Sequence, residues 1–290
     1  MTSAIQFTFS GLTMGAIYAL VAIGFVLIYN ASSVVNFAQG EFVMLGGMLA
    51  VTFVGLGLPL PLACLASIAL TTLVGLLLYL LAIRPAGDAS VVSLIIITIG
   101  ASIFIRGVAG VLLGKGIHQM PDFLTWQGLN IAGASLGSQS LLVLIGTSAI
   151  VLALWFFLAR TLLGKAIVAT ASDRLGAQLA GISTSLVIAL CFVVSAAIGA
   201  IGGLLITPIG LTSYDFGAAL AVKGFTAAVL GGLGNPLGAI VGGLTLGLLE
   251  AWSAGYISSL YKDAIAFIVL LAVLVLMPNG LMGRSSVERV

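Results

Sequence analysis

Charge is what this sequence has least of. Its 290 residues include ten Lys and Arg, eight Asp and Glu and one His, so 6% carry formal charge, against about 25% in a soluble domain. A soluble fold of this length needs a polar skin that this composition does not supply. A net charge of +2 makes no basic face, which argues against a nucleic-acid partner. A hydrophobic fraction of 61% and a mean hydropathy of +1.31 exclude a disordered chain, which would leave that surface in water. His118 is the only histidine and has no second His or Cys nearby, so a zinc site lacks its ligands. Cys64 and Cys191 fall inside apolar runs and read as buried thiols acting as small hydrophobes. A Walker A loop is missing too. Gly114-Lys115 and Gly164-Lys165 are the only Gly-Lys pairs, and neither has Gly five residues earlier or Ser/Thr after the Lys. Paired catalytic carboxylates and a Ser/His/Asp set are also not apparent, which argues against an intramembrane enzyme.

What remains is long apolar runs. Residues 1–40, 42–83, 123–159, 175–214, 224–249 and 264–283 carry no charge. A spanning helix takes about 20 apolar residues. The runs are continuous rather than alternating, which fits helices and not a transmembrane β-barrel. Met1 to Ser10 lacks a positive n-region, and no small-residue cleavage site follows, so the first helix is expected to serve as its own insertion signal. The expected fold is an all-α polytopic bundle, one transmembrane domain over 1–290. Helices are expected near 9–29, 34–57, 60–83, 91–113, 139–159, 185–207, 218–233, 237–258 and 263–281. The segments 34–57 and 218–258 are rich in Gly and polar residues and read equally as broken or re-entrant helices, giving eight or nine spans.

Basic residues orient the bundle. Arg84, Arg160, Lys165, Arg174, Arg284 and Arg289 fall on one side of the nine-span path, which is then cytoplasmic. The connection at 114–138 holds Lys115 alone among Lys and Arg and falls outside. Its Pro121, Trp126, Gly128 and Gly133 read as a small folded loop. Nine spans place the N-terminus outside and the C-terminus inside, whereas eight move the N-terminus inside.

Three clusters carry candidate function. In the cytoplasmic loop at 160–184, Thr170-Ala171-Ser172-Asp173 fits a capping box. Leu175, Leu179 and Ile182 follow on one helical face, and Gly181 suits a helix end. The expectation is an amphipathic helix over 171–180, with Arg174 in its first turn. It either rests on lipid headgroups or docks a cytoplasmic motor. The second cluster, Asn36-Phe37-Ala38-Gln39-Gly40-Glu41, sets a carboxylate, two amides and a Gly beside a membrane segment, where charge is costly and faces a partner or a cavity. It reads as a pathway-lining or gating break, or alternatively as an interfacial anchor. The third runs from Lys223 to Gly247. Gly231-Gly232-Leu233-Gly234-Asn235-Pro236 signals a turn, and Gly234/Gly238/Gly242 and Gly243/Gly247 recur at the four-residue spacing that lets helices approach closely, as do Gly11/Gly15 and Gly199/Gly203. Lys223 and Glu250 either cap helices or pair with other intramembrane charges, and Arg106 belongs with them. Interrupted helices at 36–47 and 223–243 present half-helix ends to a small zwitterion, and their places in opposite halves of the chain hint at an internal repeat.

These residues also carry a resemblance. Gly15-Ala16-Ile17-Tyr18-Ala19-Leu20, Leu27-Ile28-Tyr29, Asn36 to Glu41, Met44-Leu45-Gly46, Ala171 to Ile182 and Lys223 to Gly234 resemble, in order and spacing, the LivH-type permeases of branched-chain amino acid ABC importers. The family pattern usually has His at Gln39 and commonly Ala at Gly224. The resemblance implies a multi-pass permease of the bacterial inner membrane. It implies a second, LivM-like permease, two cytoplasmic ABC ATPase subunits and a periplasmic solute-binding protein as partners. ATP and Mg would be bound by those ATPase subunits, leaving this chain without a cofactor. The helix at 171–180, with Thr170, Asp173, Arg174, Leu175, Leu179 and Gly181, becomes the coupling helix. Urea and short amides are alternative substrates within the family, and a stand-alone secondary transporter or channel is the alternative from another class.

Overall fold

The computed structural model describes residues 2–283 except Asp88, Thr125, Gln127, Ala132 and Pro278. Arg284 and Arg289, used above for orientation, lie outside the described residues. The helices are α1 (Thr2–Ser32), α2 (Gln39–Gly55), α3 (Leu60–Leu78, continued by a π-helical turn Tyr79–Ile83 and by Arg84–Ala86), α4 (Val91–Leu112), α5 (Ser138–Arg160), α6 (Leu162–Ser172), α7 (Arg174–Leu179), α8 (Thr184–Gly210), α9 (Phe216–Gly231), α10 (Pro236–Tyr256) and α11 (Lys262–Leu276, preceded by the 3-10 turn Ser259–Tyr261). Seven of them are long and apolar enough to cross a bilayer: α1, α3, α4, α5, α8, α10 and α11 with its preceding turn. The segments expected as spans at 34–57 and 218–233 are shorter helices of 17 and 16 residues. The reason is that non-helical chain, 33–38 and 211–215, occupies the approach to each.

Helix boundaries follow local chemistry. Ser90 caps α4 by accepting the Ser93 amide, and Asn235 caps α10 by accepting the Leu237 and Gly238 amides, with Pro236 at the first helical position, where its missing N–H costs nothing. The all-α expectation needs one amendment. The loop at 114–138 holds a two-stranded antiparallel hairpin, Leu129–Ile131 (β1) with Ala134–Leu136 (β2), turning at Gly133.

Burial ranks the helices. The most apolar stretch of α1 is 89% buried and that of α8 61%, whereas α5 and α11 reach only 11%. α1 and α8, with the largely buried short helices α2 and α9, are therefore the core, and the remaining spans wrap them with apolar outer faces such as Leu81, Val111 and Val275. Such faces suit lipid rather than water. Small residues set the spacing. Gly11 and Gly15 of α1 meet the backbone of Leu248, Gly243 and Leu244, while Gly243 and Gly247 of α10 meet Ala19 and Gly15. Gly203 of α8 sits against Val43 and Gly47 of α2. The glycines noted at four-residue spacing are thus helix-packing seams within the chain, except Gly234, which lies in the turn between α9 and α10. Polar side chains add buried cross-links: Ser67 donates to the Gly46 carbonyl at 2.6 Å and Gln139 to the Leu205 carbonyl at 3.2 Å.

Contacts sort the ends of the bundle. The start of α1, the hairpin and the end of α10 lie together, through Gln6–Ser135 hydrogen bonds and edge-on packing of Phe7 on Tyr256. The end of α1, the α9–α10 turn and the segment after α11 lie at the opposite end, through Asn30 donating to Gly234 O and Leu281 N–H donating to Leu230 O.

Candidate functional site

Two long core helices end in the same way. Ser33 after α1 and Leu211 after α8 both have φ of +59°, and among the described residues they are the only non-glycine residues with positive φ. Each is followed by a short irregular stretch and then a short helix. The stretch after α1 turns back into the bundle, because Gln39 reaches Gly24, eight residues before the end of α1, or about 12 Å along its axis. The stretch after α8 does likewise. Thr212 lies against Gly47, but Gly217 lies against Gly40, seven residues or about 10 Å further along α2. The first turns of α2 and α9 therefore touch inside the protein. Gly40 faces the Gly217 carbonyl and the Ala221 amide, and a Cβ on either glycine would collide.

This junction gathers the residues singled out at 36–41. Asn36 Oδ1 accepts the Ala38 amide at 3.2 Å, and its Nδ2 has no partner. The Ser195 hydroxyl donates to Gln39 Oε1 at 2.6 Å, and Gln39 Nε2 donates to Ser195 O at 3.3 Å. Glu41 is fully buried in the first turn of α2. Its Oε1 accepts from Ser102 (2.8 Å) and Arg106 (3.0 Å) of α4, while its Oε2 has no hydrogen-bond partner and lies beside Gly217. A carboxylate at two helix N-termini is favourably placed, because orphan amides and the helix dipole present positive potential there. Phe25, Phe37 and Phe225 close the junction, with ring centroids 5.5–6.3 Å apart. Arg106 stood out in the sequence, but Ser102 did not. Its position four residues before Arg106 was the available signal.

Lys223 and Glu250 pair with each other rather than with Glu41. Lys223 Nζ lies 2.5 Å from Glu250 Oε1 and 2.7 Å from Asp263 Oδ1. The Tyr18 hydroxyl donates to Glu250 Oε2 at 2.6 Å, and Lys223 donates to the same hydroxyl at 3.3 Å. Four helices are thereby joined: α1, α9, α10 and α11. Tyr18 and Asp263 escaped the sequence reading, although Asp263 as an acid in the first turn of an apolar span was a usable clue. The cluster borders a cavity of about 450 Å³. The cavity opens beside Lys262 and Asp263, at the end of the bundle that carries the hairpin.

The loop at 160–184 differs from expectation. It holds two helices rather than one over 171–180. Thr170 is not an N-cap: it lies inside α6, with its hydroxyl bonded back to Ala166 O. The cap is Asp173, whose Oδ1 accepts the Leu175 and Gly176 amides at 3.0 and 3.1 Å. The segment 162–169 is already helical from its own cap, Thr161, so Thr170 has no orphan amides to serve. Helix α7 spans six residues and ends at Gly181, whose φ of +83° and bonds from Gly181 N to Gln178 O and Ile182 N to Ala177 O form a left-handed terminus. Leu175 and Leu179 are 68% and 84% exposed, with Arg174 exposed beside them. Ile182, expected on the same face, turns inward to the core.

The Gly-rich turn ends α9 at Gly231. Gly232 and Gly234 take φ of +104° and +105°, and Asn235 and Pro236 open α10. Asn235 Nδ2 also donates to Met282 O at 2.9 Å, fixing the segment after α11 to this turn.

Interrupted helices and buried ion pairs within a lipid-facing apolar bundle define an integral-membrane permease. The family model described as the branched-chain amino acid transport system permease component matches residues 7–274, and the chain belongs to that family. It is 35% identical over 300 residues to the high-affinity branched-chain amino acid transport system permease protein LivH of Escherichia coli (strain K12), covering 99% of this chain and 97% of that one. It is 34% identical to the corresponding protein BraD of Pseudomonas aeruginosa, covering 97% and 96%. The ribose import permease protein RbsC of Escherichia coli (strain K12) is more distant, at 26% identity over 92% and 84%. These relatives are transport permeases rather than enzymes.

Proposed function

We propose that this chain is the membrane-spanning subunit of an ATP-driven importer that moves branched-chain amino acids across the bacterial inner membrane. Membership of the family and near full-length similarity to LivH and BraD support that substrate class. As one transmembrane domain, it crosses the bilayer nine times when α2 and α9 are counted, with the N-terminus outside. Arg84, Arg160, Lys165 and Arg174 then share the cytoplasmic side, as the distribution of basic residues requires. Its partners are a second, LivM-like permease, two cytoplasmic ATPase subunits that hold ATP and Mg, and a periplasmic solute-binding protein. This chain itself needs no cofactor.

One observation carries the coupling role. Leu175 and Leu179 stand exposed on a capped, rigid helix outside the spans, where apolar side chains gain by docking on a partner. Asp173 sets the helix start and Gly181 its end. Asn36, Gln39, Gly40 and Glu41 form the gate at the touching half-helices, and Lys223 and Glu250 line the pathway. Gly231, Gly232, Gly234, Asn235 and Pro236 fix the break between α9 and α10. Movement of α6–α7 by ATPase closure shifts the balance between outward- and inward-open states. The test is a Leu175→Asp/Leu179→Asp variant in the reconstituted importer. It should keep its fold, lose ATPase association and lose leucine uptake. Full uptake by this variant would remove the coupling role from α7.

A further inference from the structure

The cavity beside Lys223 is built for more than structural pairing. Its walls divide by chemistry. Met14, Ile206, Ile209, Phe216 and Leu220 supply an apolar side, and Lys223, Lys262, Glu250 and Asp263 supply charges of both signs, with Lys262 at the mouth. Its volume of about 450 Å³ and its mixture of apolar walls with a few convergent polar groups are those of a small-molecule site. The two carboxylates on Lys223 are held very differently. Glu250 is 9% exposed and spends both oxygens, one on Lys223 and one on Tyr18. Asp263 is 63% exposed, and its tie to Lys223 is a single ion-pair contact through Oδ1. Lys223 itself is only 11% exposed, so the exchangeable half of its pair is Asp263, whose carboxylate already meets solvent, whereas Glu250 is buried and bonded on both oxygens.

We infer that this cavity is an α-amino-acid subsite in which the substrate carboxylate replaces Asp263 on Lys223, and the freed Asp263 takes the substrate ammonium. The apolar wall receives the aliphatic side chain. Glu250 and Tyr18 keep the ammonium of Lys223 in place throughout, and so act as positioning residues. The exchange adds one ion pair: one Lys–carboxylate contact is broken and one formed, and one ammonium–carboxylate contact is gained. Because Asp263 lies in the first turn of α11, the exchange also releases the tie from α11 to α9. Substrate arrival is thereby coupled to movement of a peripheral helix. The inference rests on the reading of the chain as an amino-acid permease.

The test uses the complete importer reconstituted in proteoliposomes. Wild-type uptake of L-leucine with the binding protein present checks the underlying reading. The subsite is then probed by equilibrium binding of L-leucine and of 4-methylpentanoate, which keeps the carboxylate and lacks the ammonium, with the binding protein absent. Asp263→Asn lies at an exposed position and should fold normally. It should weaken leucine binding about tenfold, the loss of one charge pair, and should tighten 4-methylpentanoate binding, because the competitor on Lys223 has lost its charge. Lys223→Gln with Glu250→Gln, which removes both buried charges together, should abolish binding of both ligands. Wild-type uptake with equal leucine and 4-methylpentanoate affinities in wild type and Asp263→Asn overturns this inference and leaves the importer reading standing. No leucine uptake by the wild type overturns the importer reading itself.

Discussion

The Glu41–Arg106 pair makes an asymmetric prediction. Glu41 is wholly buried, while the Arg106 side chain is 29% exposed. Replacing Arg106 with Met leaves a buried carboxylate whose one remaining donor is Ser102. Stranding a buried charge in this way costs about 3–5 kcal/mol. Replacing Glu41 with Gln leaves a guanidinium that already reaches the surface and can be resolvated. That loss is one charge-assisted hydrogen-bonding site, about 1.5–3 kcal/mol, and falls at the low end because the Ser102 hydroxyl still has an acceptor. The gap of about 2 kcal/mol corresponds to roughly 30-fold in the unfolding equilibrium. In the double variant neither charge is stranded, so its cost should fall short of the sum by about 0.5–3 kcal/mol. Equilibrium unfolding of the purified protein in mixed detergent micelles, run on the wild type and the three variants in parallel, measures each difference. Equal losses for the two single variants, or strict additivity in the double, would refute the reasoning that Glu41 depends on Arg106 more than Arg106 depends on Glu41.

Three further predictions can be checked in the same way. Gly247→Ala drives a methyl into the backbone of α1 at Gly15 and Gly11 and should destabilise by about 1–3 kcal/mol, whereas Gly107→Ala, with open space around it, should be neutral or stabilising by up to about 1 kcal/mol; thermal denaturation of the pair decides. Leu211 holds φ +59° and ψ 161°, a region almost reserved for glycine, so Leu211→Gly should stabilise by about 1–3 kcal/mol while lowering the leucine transport rate; a slower transporter without a stability gain would contradict the strain. Asn235→Ala removes the cap of α10 and the tie to Met282 and should cost about 0.5–2 kcal/mol, with faster amide exchange at Leu237 and Gly238.

Scarcity made much of the molecule readable. With so few charges, Glu41, Arg106, Lys223 and Glu250 stood out in apolar surroundings, and all four prove to be buried or partly buried and paired. Helix ends were readable where turn residues marked them, as at Gly181 and at Asn235-Pro236. What escaped was partnership. Nothing in one dimension says that Glu250 meets Lys223 and Tyr18 while Glu41 meets Arg106, because those contacts depend on how helices pack. The misplaced cap at Thr170 shows a different limit. Thr170 and Asp173 both satisfy local capping rules, and the choice between them rested on whether 162–172 was already helical. The interrupted helices were flagged by their glycines and polar residues, but the inward course of 33–38 and 211–215 is set by contacts with Gly24 and Gly40.

The burial of α1 also has a consequence in time. Of the described spans, α1 precedes the others and is the most covered, and its long seam is with α10, made more than 200 residues later. The Tyr18–Glu250 bond joins residues 232 apart. At translation speeds of about 5–20 residues per second, α1 waits roughly 10–50 seconds before its partner exists. During that interval its glycine-notched face must be shielded by lipid or by the insertion machinery, so the nascent chain is inserted long before it is folded. Chains arrested before Pro236 should therefore be integrated and yet open to degradation, with a stability set by what shelters α1 rather than by any contact in the finished bundle.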